Sequence, residues 1–142
     1  MPGFVLDASV TLAWALAGEV HADEARALVH RVAEEAAVVP ALWRLEVGNG
    51  LLMAERRARV RSERVDAVWR QLGELPIEID AETNARAWNG TAALARRHGL
   101  TLYDAAYLEL AARRSLPLAT FDGQLARAAL VEKVPLAMDA AS

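Results

Sequence analysis

Four acids in this chain lie where solubility does not require them. Asp7 closes the apolar run Phe4-Val5-Leu6 and is followed by the small residues Ala8 and Ser9. Glu46 sits between Leu45 and Val47, and its neighbours at helical spacing are Leu42, Trp43, Asn49 and Gly50. None of these is a cation, so a surface ion pair does not account for it. Asp104 shares a helical face with Tyr107, Leu108 and Ala111, a face that should turn toward the core. Asp122 follows the apolar segment 116–121. Acids so placed need a ligand, a hydrogen bond or a raised pKa. A plainer role stays open for two of them: Asp7 or Ser9 as N-cap of the next helix, and Thr101 with Asp104 as a capping box. Asp80 also ends an apolar segment, and for it the capping role is preferred, at the start of a helix from 81 or 82 to 97.

The elements that must position these acids follow from hydrophobic periodicity. Short apolar runs at 4–6, 38–41, 76–80, 116–121 and 134–137 read as strands. Pro135 makes the last an edge strand. Between them, helical spacing predicts helices over 10–17 with Gly18 as its stop, 21–37, 42–57, 62–72, 81–97, 100–114 and 124–130. Strands alternating with helices predict a three-layer α/β/α fold around a mainly parallel sheet of about five strands. In such sheets functional groups collect beyond the carboxyl ends of the strands. Asp7 and Asp122 fall at two such ends, and the helices carrying Glu46 and Asp104 can point there. Gly48 and Gly50 cost about 1 kcal/mol each inside a helix relative to alanine, which points to close approach of another backbone or of substrate.

Converging carboxylates repel: two of them 4 Å apart cost about 4 kcal/mol at an effective dielectric of 20. A divalent cation offsets that cost, and a donor set made only of oxygen selects a hard ion, Mg²⁺ or Mn²⁺. The chain has no cysteine, which excludes disulfides, thiolate-bound zinc and thiol nucleophiles, and His21, His30 and His98 show no metal-ligand spacing. A net charge of −3 argues against coating nucleic acid by bulk positive charge. Fifteen of the sixteen cations are nevertheless arginine, clustered at Arg56, Arg57, Arg59 and Arg61, at Arg96 and Arg97, and at Arg113 and Arg114. Such clusters suit phosphate or an acidic partner, and equally suit the C-terminal ends of helices. A length of 142 residues with 54% hydrophobic content predicts one domain, 1–142. No apolar run approaches a membrane span, and the first strand begins directly after Met1-Pro2-Gly3, so a soluble cytoplasmic protein without a signal peptide and without a membrane partner is expected.

Four segments carry a resemblance. Val5-Leu6-Asp7-Ala8-Ser9, Glu46-Val47-Gly48-Asn49-Gly50-Leu51, Leu102-Tyr103-Asp104-Ala105-Ala106-Tyr107-Leu108 and Leu118-Ala119-Thr120-Phe121-Asp122 resemble, in order and spacing, the motifs of PIN-domain ribonucleases of the VapC toxin type. The resemblance covers nearly the whole chain. It implies that Asp7, Glu46, Asp104 and Asp122 form a quartet binding Mg²⁺ or Mn²⁺, with Ser9 and Thr120 as supporting hydroxyls and Asn49 as a further supporting residue. It also implies an endoribonuclease that leaves a 5′ phosphate, a cognate antitoxin that silences it, and a homodimer. Trp14, Trp43, Trp69 and Trp88 would serve either those interfaces or the core. Two other readings compete. One is a noncatalytic PIN-like RNA-binding or scaffold module. The other is a receiver-like phosphoacceptor switch, which requires adjacent acids after the first strand and a lysine after a late one; the only lysine here is Lys133.

Overall fold

Apolar runs too short to stand alone become strands here because the sheet's inner strands are buried under helices, while Ile77–Ile79 at its edge stays largely exposed. The computed structural model describes residues 1–140 apart from 17 and 19, with the backbone alone at 139 and 140. Strands β1 (Phe4–Leu6), β2 (Ala37–Val39), β3 (Ile77–Ile79) and β4 (Leu118–Ala119) form a parallel sheet in the order β3-β2-β1-β4. Register is set by pairs such as Val5↔Val38 and Val5↔Leu118. β1 and β2 are buried throughout, as the continuous apolar runs of a covered parallel sheet require. Receiver-type sheets run 2-1-3-4-5, so the strand order does not match the phosphoacceptor reading.

The expected fifth strand at 134–137 does not form. It supplies a single parallel bridge, Leu118↔Leu136, and the Pro135 carbonyl accepts from the Leu118 N–H at 2.8 Å. Pro135 has no N–H with which to extend a ladder, and the chain turns at once into a short helix at Ala137–Ala140.

The helices are α1 (Ala8–Ala15), α2 (Ala22–Glu35), α3 (Trp43–Arg56), α4 (Ser62–Glu74), α5 (Thr83–Arg86), α6 (Ala92–His98), α7 (Leu102–Arg114), α8 (Gly123–Val131) and α9 (Ala137–Ala140). α1 begins two residues before its expected start, and its expected last residue, 17, lies outside the described residues. The helix expected over 81–97 is interrupted by a π-helical turn, Ala87–Thr91. Gly90 within that turn is a weak helix former, and the inserted residue re-aims the side chains: Thr91 goes inside while Trp88 is 87% exposed. Of the other tryptophans, Trp43 is core, Trp14 is half-buried and Trp69 is exposed. The expected close approach in α3 holds at Gly50, where a Cβ would lie 2.6 Å from the Leu12 side chain of α1, but not at Gly48, where nothing lies within 4 Å.

Asp80 does more than the expected capping: it takes a backbone bond from Glu82, but α5 proper starts later. α5 begins at Thr83 without a side-chain cap bond, and the buried Asp80 accepts from both terminal nitrogens of Arg113, at 3.2 and 2.7 Å, and from Thr83. Arg113 also holds Glu109 in two bonds of 2.8 and 3.1 Å and reaches Glu82 at 3.4 Å. A buried carboxylate needs such a partner, and this clamp ties the end of β3 to α7. Arg114 pairs with Glu78 and Arg97 with Glu132. Two of the arginine clusters thus serve internal pairs rather than presenting all their charge outward. Among the described residues no helix is long and apolar enough to cross a membrane.

Candidate metal centre at the ends of β1 and β4

β1 delivers Asp7 to the N-cap position of α1, only 5% exposed, yet its side chain makes no capping bond. Its Oδ2 accepts instead from Ser9 Oγ at 2.5 Å and from Thr120 Oγ1 at 2.8 Å. Those hydroxyls accept in turn from the N–H groups of Phe121 and Asp122, each at 3.0 Å. Each hydroxyl therefore uses its proton on Asp7 and a lone pair on the β4–α8 turn, which locks two strand ends together around one carboxylate. Ser9 and Thr120, the two hydroxyls singled out in the sequence, are thus the residues that hold Asp7.

Glu46 stands in the first turn of α3, half-buried, and its Oε1 accepts from the Tyr107 hydroxyl at 2.6 Å. Tyr107 is fully buried on α7, one turn beyond Asp104. Asp104 is half-buried, and the capping box contributes one bond, from the Asp104 backbone N–H to Thr101 Oγ1 at 3.1 Å. Asp122 has a cap role that the sequence reading missed: its Oδ1 accepts from the Leu125 N–H at 2.9 Å at the start of α8. Asn49 is exposed on α3, and its side chain makes no hydrogen bond among the described residues.

Electrostatics link the four acids. Burial pushes the Asp7 carboxyl above its ordinary pKa, the Ser9 and Thr120 hydroxyls pull it back, and the charge of Asp104 adds to the rise. Burial also raises Glu46, against the pull of Tyr107, and the charges of Asp7 and Asp104 raise it further. Asp104 is raised by burial and then by Asp122, with Thr101 opposing. Each of these three therefore feels another member of the set. The Tyr107 hydroxyl is pushed far up by burial and by the charges of Asp7 and Glu46, so it stays a donor.

The donor set fits a hard cation: all oxygen, crowded, and short of positive charge. Among the described residues, however, no group of three or more Asp, Glu, His or Cys side chains stands placed to hold a metal ion by itself. One oxygen each of Asp7 and Glu46 is already held by hydroxyls, so the arrangement matches the open Mg²⁺ style, in which one or two carboxylates act with water and substrate phosphate. Sequence reasoning missed Tyr107 as a partner of Glu46; the available signal was an aromatic hydroxyl three residues after Asp104 on the same face.

A family model described as the PIN domain matches residues 4–131. Over 81 residues, 57% of this chain, the sequence is 36% identical to Ribonuclease VapC3 of Pyrobaculum aerophilum, and the match spans 62% of that relative's length. The crystal structure of PAE2754, also from Pyrobaculum aerophilum, superposes with a TM-score of 0.62 at 27% identity, covering 89% of this chain and 86% of that one. The sarcin-ricin loop cleaving toxin VapC20 of Mycobacterium tuberculosis superposes with a TM-score of 0.65 at 18% identity, covering 94% and 100%. The last likeness shows a shared fold alone.

Proposed function

The chain belongs to the PIN domain family, and on that premise we propose that it is a metal-dependent endoribonuclease, a single PIN-like unit acting in the cytoplasm as the toxin of a toxin–antitoxin pair. The observation that carries this reading is the buried Asp7 carboxylate at the end of β1, held by Ser9 and by Thr120 at the end of β4, with Glu46 of α3 held by Tyr107 one turn beyond Asp104 on α7. Asp7, Glu46, Asp104 and Asp122 would hold Mg²⁺ or Mn²⁺, one or two of them directly and the others through water. When bound, the ion supplies a water of lowered pKa and neutralises charge on the leaving oxygen.

The chain's own residues do the rest. Ser9 and Thr120 fix the Asp7 carboxylate in one orientation. Tyr107 occupies Oε1 of Glu46 and leaves Oε2 to accept a proton from the attacking water. Attack of water at phosphorus would break the bond to the 3′ oxygen, which would take a proton from solvent as Glu46 gives its own up, so the products would be a 5′ phosphate and a 3′ hydroxyl. Protein partners are a cognate antitoxin and a second copy of the chain. The partly or fully exposed Leu45, Leu102 and Tyr103 line one cleft and support a protein-covered surface there.

The test is cleavage of end-labelled RNA across a series of Mg²⁺ and Mn²⁺ concentrations. Cutting that needs the ion, stops in EDTA and leaves 5′ phosphates supports the proposal. Protein that binds RNA but never cuts it with either ion returns the noncatalytic module.

A further inference from the structure

A second cleft opens beside the carboxylates, of about 570 Å³, between α1, the start of α2 and the C-terminal half of α3. That volume lies within the range of roughly 300–1,000 Å³ typical of small-molecule sites. We propose that this cleft is a nucleotide subsite, holding one base and its phosphate from single-stranded RNA next to the scissile bond. The inference rests on the nuclease reading above.

Continuity with the acids is the first argument. Ser9 lines the cleft and donates to Asp7, while Phe121 lines it and precedes Asp122 in the chain. A strand whose phosphate lies at the carboxylates must pass a neighbouring nucleotide through or beside this space.

The lining is the second argument. His21 stacks on Phe121 with ring centroids 4.5 Å apart and planes inclined by 21°. One His21 face is covered by Phe121, and the side chain is 45% exposed, with Nδ1 3.3 Å from Glu24. This leaves a flat aromatic platform at the mouth, and base stacking on such platforms tolerates any sequence. Leu12 and Met53 line the cleft beneath it.

Charge is the third argument. Arg31, Arg86, Arg97, Arg113 and Arg114 are all engaged by carboxylates of the chain itself. Arg57 lines the cleft without an ion-pair partner among the described residues, and Arg59 lies beside it. A cation, an aromatic platform and an apolar floor are the parts that a nucleotide engages together. An amphipathic protein segment would use the floor and the cation but has no need of a flat platform on which a base stacks.

The experiment follows the ring protons of His21 by NMR while a short oligoadenylate is titrated in EDTA, with RNA binding by fluorescence anisotropy in parallel. The expected result is an upfield shift of the His21 protons that saturates with binding. His21→Ala should weaken RNA binding about five- to tenfold. Arg57→Gln should reduce the salt slope of binding by about 0.7. Both variants should keep the wild-type melting temperature and Mn²⁺ binding. RNA that binds in EDTA while the His21 protons stay unmoved and is cut once Mn²⁺ replaces the chelator, or affinities unchanged in both variants, overturns the subsite and leaves the nuclease reading intact. Wild-type protein that neither binds nor cuts RNA overturns both.

Discussion

Replacing Asp104 by asparagine separates a capping role from a place in a crowded anionic site. The cap bond of α7 runs from the Asp104 backbone N–H to Thr101, and asparagine keeps that N–H. What the change removes is a charge that the structure couples to Asp122, Asp7 and Glu46. Two like charges about 6 Å apart repel by about 2.8 kcal/mol at an effective dielectric of 20, and the partial exposure of Asp104 reduces the useful relief to about 1 kcal/mol. Against this, an acid in the first helical turn contributes about 0.3–1 kcal/mol through the helix dipole. The metal-free variant should therefore melt within about 2 °C of wild type, on the higher side. Metal reverses the ranking. At a hundredfold excess over its dissociation constant the ion should stabilise wild type by about 2.7 kcal/mol, roughly 8 °C. If losing one ligand weakens binding a hundredfold, the same concentration gives the variant about 0.4 kcal/mol. Paired melting curves with and without Mn²⁺, read beside RNA cleavage, measure both. An active variant that is destabilised by about 1 kcal/mol and keeps its full metal response would refute the reasoning.

Tyr107→Phe keeps the buried ring and removes only the hydroxyl on Glu46; it should cost about 1.5 kcal/mol in urea melts, the low end for a bond to a charged group because Glu46 is half-exposed, and should lower kcat more than it raises KM. The Asp7, Glu46 and Asp104 carboxyls are raised by burial and by one another, so their contribution to metal-free stability is full below their unfolded pKa values and is lost as pH rises through the folded ones. Asp80 behaves oppositely: burial alone would raise it, but Arg113 outweighs burial and holds it low, so its contribution is present above the unfolded pKa and is lost as pH falls through the folded one. Asp80→Asn should cost about 2 kcal/mol at pH 7, below the roughly 3–5 of an isolated buried pair because Arg113 retains Glu109, and the deficit should shrink in melts taken at acid pH. Gly48→Ala faces open space and should stabilise α3 by about 1 kcal/mol, whereas Gly50→Ala must displace Leu12 and should show a smaller gain or a loss in the same thermal assay.

The layered architecture was legible because parallel strands covered on both faces must be apolar throughout, as Phe4-Val5-Leu6 and Ala37-Val38-Val39 are. The acids were legible because each breaks an apolar pattern without a cation at helical spacing. Partners far apart in sequence were not. Tyr107 and Glu46 are separated by 61 positions, and Arg113 and Asp80 by 33, so no local periodicity announces either bond. Asp80 was read as a cap, and its backbone bond from Glu82 is cap-like, but its main partner is Arg113, which no local pattern announces. The π turn at Ala87–Thr91 follows from an insertion that propensity alone does not specify. The fifth strand failed on a local point that was visible, the missing N–H of Pro135, whose consequence is the loss of the ladder rather than a mere edge position.

The central claim is that these carboxylates hold a hard divalent ion, and Mn²⁺ binding measured by electron paramagnetic resonance tests it without reliance on catalysis. The free-ion signal should be quenched on titration with wild-type protein, be restored by excess Mg²⁺, and remain nearly unquenched with Asp7→Asn or Asp104→Asn protein that melts as a folded domain. Wild-type protein that leaves the Mn²⁺ signal untouched with and without a short single-stranded RNA, or quenching that survives both substitutions together, would contradict the account.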